Sequence, residues 1–142
     1  PTQIRNSMMQ LNSLDHVNIR TANLADMTTF YTQTLGLNAG PRPPFEFGGS
    51  WLYCGEQAVV HLVEVEVQPS LNEVQIEHFA FLASGLSSFL ARLRASATAY
   101  DVQLIPESGR RQINVRDPDG NHIEIQFAAE EQADLESYCP DV

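Results

Sequence analysis

Four stretches of the chain alternate apolar and polar residues with the two-residue period of a β-strand: 13–20, 58–63, 76–81 and 121–127. Their apolar positions are Val17 and Ile19, Val60 and Leu62, Phe79 and Phe81, and Ile123, Ile125 and Phe127. That side belongs against a core. The opposite side carries His16, Asn18 and Arg20, then His61, then His78, then His122, Glu124 and Gln126. All four histidines of the chain lie on it. Solvent-facing strands usually draw on Lys, Thr, Ser and Glu, so imidazoles gathered with a carboxylate point to chemistry rather than to solvation.

Between the strands the pattern changes to helical spacing. Leu24, Met27, Phe30, Tyr31 and Leu35 predict a helix from about Leu24 to Leu35, capped by Asn23 or Thr21 and stopped by Gly36. The Pro- and Gly-rich run from Gly40 to Gly49 is a loop, and its Phe45 and Phe47 either plug the open end of the core or fold over a pocket. Ser50–Cys54 and Ala58–Val67 read as a hairpin across Gly55-Glu56-Gln57, followed by a polar linker from Gln68 to Gln75. A strand to Ala83, a helix from about Leu86 to Ala99 capped near Ser84, and strands at Gln103–Pro106 and Arg111–Arg116 come next. The turn Asp117-Pro118-Asp119-Gly120 leads into the last strand, and Ala128–Tyr138 reads as an acidic helix or tail.

The second half repeats the first. A shift of 62 positions matches Leu14 with Ile76, His16 with His78, Val17 with Phe79 and Leu24 with Leu86. After a turn one residue longer, a shift of 63 matches Val60 with Ile123 and His61 with Glu124. Each half is a strand, helix, strand, strand, strand unit, too small to bury its own sheet face, so the units must pack together or exchange with those of a second chain. The expected organisation is an N-terminal extension (1–12), one α+β domain of two βαβββ modules (13–67 and 76–128), and a C-terminal segment (129–142). His16, His61, His78 and Glu124 occupy two pairs of equivalent positions, which pseudo-symmetry can bring round a common axis.

Charge narrows the choice of partners. A net charge of −10 over 142 residues repels phosphate backbones and anionic lipid, so neither nucleic acid nor membrane is an expected partner. No run approaches the roughly 18 apolar residues of a membrane helix, and the first residues lack the basic and apolar regions of a secretory signal. Two cysteines, Cys54 and Cys139, without metal or redox spacing read as free thiols in a reducing cytoplasm. Basic residues are few, which draws attention to Arg110, Arg111 and Arg116 near a predicted strand.

Leu14-Asp15-His16-Val17, Phe30-Tyr31 before Leu35-Gly36-Leu37, Glu77-His78-Phe79-Ala80-Phe81 and Asp117-Pro118-Asp119-Gly120-Asn121-His122-Ile123-Glu124 together resemble the vicinal oxygen chelate superfamily. That superfamily includes glyoxalase I, fosfomycin-resistance proteins, methylmalonyl-CoA epimerase, extradiol dioxygenases and bleomycin-binding proteins. The resemblance runs from about Leu14 to Phe127 and implies curved mixed sheets enclosing a cup, with one divalent ion per site. Carried over by position, the metal ligands are His16, His61, His78 and Glu124. Imidazole and carboxylate suit Ni, Co, Mn, Fe or Zn, and the sequence does not choose among them because affinity follows a general order that metal availability overrides.

The resemblance further implies a metal-dependent lyase or isomerase of glyoxalase type, acting on a small, anionic or carbonyl-containing molecule that chelates the ion through adjacent oxygens. Glu124 and His61 are the expected acid–base groups; Arg20, Asn18 and Arg111 are expected to hold the substrate, and Trp51 and Tyr53 to line the cup or to belong to the core. At His61 glyoxalase I usually has a glutamate, and Val65 replaces an asparagine it uses on glutathione, so a glutathione adduct is not the expected substrate. The alternatives are a non-haem Fe(II) dioxygenase using His16, His78 and Glu124, with His61 as its acid–base residue, and a metal-free ligand-sequestering protein. Related chains of one module pair close their cups across a two-fold axis, so a homodimer is expected.

Overall fold

A computed structural model describes residues 8–10, 12–70, 72 and 74–141, so most of the N-terminal extension expected at 1–12 lies outside the described residues. The first module is β1 (Val17–Thr21), α1 (Leu24–Thr29), β2 (Asn38–Gly40), β3 (Gly49–Cys54) and β4 (Gln57–Glu64). The second is β5 (His78–Leu82), α2 (Leu86–Ala95), β6 (Asp101–Leu104), β7 (Arg111–Arg116) and β8 (His122–Phe127). Each forms its own four-stranded sheet, in the orders β1-β4-β3-β2 and β5-β8-β7-β6. The first and last strand of each module run parallel and the remaining pairs antiparallel, so both sheets are mixed.

Pairing registers confirm the internal repeat. Val17 lies opposite Val60 in one sheet and Phe79 opposite Ile123 in the other, which are the positions related by the two shifts. Side chains of both modules then enter one core: Met27, Tyr31, Leu52 and Val60 from the first, Leu86, Leu93, Ile113 and Ile123 from the second, all fully buried. Burial of this apolar set is the main term holding the fold. Three polar links also cross between modules. Tyr31 Oη donates to Asp117 Oδ2 (2.7 Å), Asn23 Nδ2 to Asp119 Oδ1 (2.8 Å), and Arg92 Nη1 to the Thr34 carbonyl (3.3 Å).

Several elements differ from the sequence expectation. The first helix is α-helical only to Thr29, and Phe30–Thr34 continue as a π-helical turn that turns Phe30 and Tyr31 into the core. Gly36, at φ +83°, ends it in the left-handed conformation that favours glycine. Helix α2 stops at Ala95, four residues short of the expected end, and Gly85 rather than Ser84 takes its cap position. Of the two expectations for the segment after Ala128, an acidic helix or a tail, the structure shows the tail. This tail runs in extended and turn conformations, with Tyr138 bridging Tyr100 and Glu131 Oε1 accepting from the N–H groups of Gly85 (3.0 Å) and Leu86 (2.8 Å). The acidic composition of the tail thus supplies an N-terminal anion to α2 instead of a helix of its own.

Candidate metal centre

On β8 the polar side presents His122, Glu124 and Gln126, while Ile123, Ile125 and Phe127 point into the core. The register sets His78 on β5 directly across from His122. The His78 ring lies between two carboxylates, with Nε2 3.1 Å from Glu124 Oε2 and Nδ1 3.3 Å from Glu77 Oε1. Glu77 bridges the two imidazoles, since its other oxygen meets His122 Nδ1. Hydrogen bonds from His122 and then His78 hold the exposed Glu77 carboxyl below the usual carboxylate range. Among the described residues, Glu77, His78 and His122 are the group of three whose ligand atoms all lie within 4.8 Å of one another.

β7 extends this polar surface through Gln112, Asn114 and Arg116, which pair with Gln126, Glu124 and His122 respectively. Gln126 Nε2 donates to Glu124 Oε1 (3.2 Å) and to Gln112 Oε1 (2.9 Å), while His122 Nε2 meets Asn114 Oδ1 at 2.8 Å. Gln112, Asn114, Arg116, His122 and Glu124 line an open cleft of ≈ 840 Å³ together with Tyr138 and Cys139.

The first module presents its imidazoles differently. The His16 and His61 rings stack with centroids 3.8 Å apart, and Trp51, paired with His61 across β3 and β4, stacks on the other face of His61 at 3.9 Å. His61 is buried, its Nε2 meeting the Ala58 carbonyl at 3.1 Å. Burial is the chief cause lowering its pKa, with His16 adding to the effect, so the ring favours its neutral, metal-binding form. His16 Nδ1 meets Asp15 Oδ2 at 2.7 Å, and this contact chiefly lowers the Asp15 pKa. Among the described residues Nε2 of His16 and Nδ1 of His61 have no hydrogen-bond partner, and they are the nitrogens left for an ion.

The sequence from residue 13 to 125 matches the model of the Glyoxalase/Bleomycin resistance protein/Dioxygenase superfamily. The chain belongs to that superfamily. Solved structures similar in fold include a glyoxalase family protein from Bacillus anthracis, 22% identical with TM-score 0.71, covering 85% of this chain and 98% of that one. A glyoxylase/bleomycin resistance protein/dioxygenase domain from Frankia sp. EAN1pec is 17% identical with TM-score 0.71, covering 87% and 96%. A lactoylglutathione lyase from Agrobacterium tumefaciens is 20% identical with TM-score 0.61, covering 85% and 97%. No curated protein matches the sequence.

Superfamily members typically bind a metal, and the donors gathered here suit one: the Glu77, His78 and His122 group offers imidazole and carboxylate at ligand spacing. The four positions expected as ligands fall into two pairs, His16 with His61 and His78 with Glu124, one on each module. No three of them come together within one chain among the described residues.

The remaining expectations divide. Asn18 is opposite His61 and Arg20 two positions further along the same face, both exposed. Trp51 is on the site face and not in the core. Tyr53 is turned to the loop, its hydroxyl donating to the Pro41 carbonyl and its ring covering Gly40, where a Cβ would come within 2.8 Å of it. Phe45 and Phe47 stack on each other at 4.9 Å beneath the Arg42 guanidinium, with Phe45 6.4 Å from Trp51. This loop therefore extends the Trp51–His61 stack and does not plug the core. Arg111 is a correction: it pairs with Phe127 on the core side of β7, and its Nε and Nη1 donate to the carbonyls of Glu131 (3.2 Å) and Gly109 (2.8 Å). Alternation counted from the buried Ile113 and Val115 selects Gln112, Asn114 and Arg116 for the site face instead. Glu77 was missed because alternation through 76–81 sets it on the same side as Phe79, whereas β5 begins only at His78 and leaves Glu77 outside the strand.

Proposed function

We propose that the protein is a divalent-metal-dependent enzyme of the glyoxalase type, a lyase or isomerase, acting on a small anionic or carbonyl-containing substrate that chelates through oxygen. We further propose that it works as a cytoplasmic homodimer in which His16 and His61 of one chain face His78 and Glu124 of the partner subunit. The observation that carries this reading is the division of the four residues into two donor pairs at repeat-equivalent places, which a two-fold axis would let complete each other. His78 Nε2 and Glu124 Oε2, 3.1 Å apart, are at the spacing of two ligands on one ion.

The ion supplies Lewis-acid polarisation of a substrate oxygen when bound. The chain's own residues do the rest. Glu124 has Oε1 held by Gln126, which fixes the carboxylate in place to take a proton from the substrate carbon. His61, kept neutral by burial and with Nε2 held on the Ala58 carbonyl, offers its Nδ1 lone pair to the ion. Only in a site built on His16, His78 and Glu124 alone would that lone pair be free to accept a proton. Arg20 offers a cation for the substrate's anionic end, and Trp51 with Phe45 and Phe47 provides an apolar wall that sheds water. The same wall favours a second reading, an Fe(II) dioxygenase on a flat catechol-like ring. Oxygen consumption with iron and a catechol separates it from the first.

Mixing variants tests the shared site. His16→Ala/His61→Ala chains and His78→Ala/Glu124→Ala chains are each expected to lack the four-residue ion site, yet a heterodimer of the two contains one intact site. Ion binding at His16 and His61, read from the ring signals of ¹⁵N-labelled His78→Ala/Glu124→Ala chains, therefore returns on mixing. Failure of mixing to restore binding would place any working site within one chain. A wild-type protein that takes up none of Ni, Co, Mn, Fe or Zn would leave only the sequestering function.

A further inference from the structure

We propose that Glu77, His78 and His122 form a divalent-cation site of their own within a single chain, using Nδ1 of each imidazole, with Glu124 and Asn114 as the outer acceptors that orient the two rings. This arrangement is separate from the four-residue site above, and it needs neither His16 nor His61.

The count of donors and acceptors leads to it. His78 faces oxygen on both nitrogens, Glu77 Oε1 at Nδ1 and Glu124 Oε2 at Nε2. His122 does the same, with Glu77 Oε2 at Nδ1 and Asn114 Oδ1 at Nε2. Gln112 Nε2 donates to that same Asn114 oxygen at 3.3 Å, which fixes the amide so that oxygen and not nitrogen faces the ring. A neutral imidazole has one N–H and one lone pair. Each neutral ring therefore sets a lone pair against an oxygen, a conflict that either a second proton on the ring or a metal cation removes. An ion at the Glu77 side removes the conflict at once: both Nδ1 lone pairs and the Glu77 carboxylate turn to the ion, and both Nε2–H groups donate outward, to Glu124 and Asn114.

Imidazoles that ligate through one nitrogen and donate through the other to a carboxylate or amide oxygen are the usual supporting arrangement of zinc-type sites. Tetrahedral ligands at ~2.1 Å stand roughly 3.4 Å apart, so the present spread, up to 4.8 Å, closes with small side-chain rotations. The grouping is not an echo of the repeat, because Val59 holds the position equivalent to His122 in the first module. With Nδ1 on this ion, His78 Nε2 carries the proton and cannot also be a ligand beside Glu124. The two uses of His78 are alternatives, and assembly of the four-residue site competes with this one.

Zinc or cobalt titration of the His16→Ala/His61→Ala protein, in which the four-residue site is disabled, is the test. Retained binding of one ion per chain is expected, with at least a tenfold loss of affinity on adding Glu77→Gln or His122→Ala. A parallel measurement needs neither added substitution. In ¹⁵N-labelled His16→Ala/His61→Ala protein, where nothing competes for His78, zinc is expected to convert His78 and His122 to the Nε2–H tautomer. The proposal is overturned if the His16→Ala/His61→Ala protein binds no ion, if Glu77→Gln and His122→Ala leave affinity unchanged, or if zinc leaves either ring with its proton on Nδ1. None of these outcomes bears on whether mixed variants rebuild the four-residue site.

Discussion

Trp51 and Arg111 show how one residue's surroundings decide its role. Trp51 is the only tryptophan of the chain and covers one face of His61, while His16 covers the other. Trp51→Leu should cost about 0.5–1.5 kcal/mol of stacking. It should also admit water and raise the His61 pKa toward its ordinary 6.5, read by NMR titration of the ring. The sign follows from the shift: below 6.5 the unfolded chain binds a proton that folded His61 resists, so wild-type stability falls as pH drops through that region. Loss of that slope is expected in the variant. Arg111→Ala should lose about 1–3 kcal/mol in chemical denaturation, because two carbonyls lose their donor, and leave KM for any substrate unchanged. A raised KM with full stability would return Arg111 to the binding surface.

At the scale of elements, α2 depends on a group far away in sequence. No side chain of its own N-terminus caps it, and the Glu131 carboxylate takes the N–H groups of Gly85 and Leu86 instead. Glu131→Ala is expected to destabilise the protein by about 0.5–2 kcal/mol, with the amides of Gly85 and Leu86 losing hydrogen-exchange protection first. An unchanged exchange pattern would mean that solvent caps the helix equally well. The polar faces of β7 and β8 are likewise a property of paired elements. Gln112, Gln126 and Glu124 form one hydrogen-bonded row across two strands, which fixes the carboxylate more firmly than a single strand could.

For the whole molecule, the buried Tyr31–Asp117 bond is the most informative link between modules. Burial first, then the Asp117 carboxylate, raises the Tyr31 pKa far above its ordinary 10.0. A raised pKa means that the stabilisation is complete below pH 10 and is lost as the pH climbs above it, where the unfolded tyrosine ionises and the folded one does not. Alkaline unfolding followed by tyrosinate absorbance should therefore begin above about pH 10. Tyr31→Phe should remove that dependence and cost about 1.5–3 kcal/mol, the range for a hydrogen bond to a charged group. Independent melting of two transitions in the variant would show that this bond, more than the shared apolar core, makes the modules fold together.

Strand periodicity is local, so the sequence alone determined two βαβββ modules, their apolar faces, and the placing of His16, His61, His78, His122 and Glu124 on the polar sides. It did so because alternation needs no knowledge of neighbours. Which of those side chains touch one another was decided only by tertiary structure. His122 was placed on the polar side by alternation alone, and only the register sets it directly across from His78. Glu77 precedes the strand, and only packing brings its carboxylate between two imidazoles. Composition leaves the C-terminal segment open between a helix and a tail, and it runs extended because its Glu131 and Tyr138 find partners at α2 and Tyr100. Pairing between strands, and the capture of a loop by a distant charge, depend on contacts that no window of sequence contains.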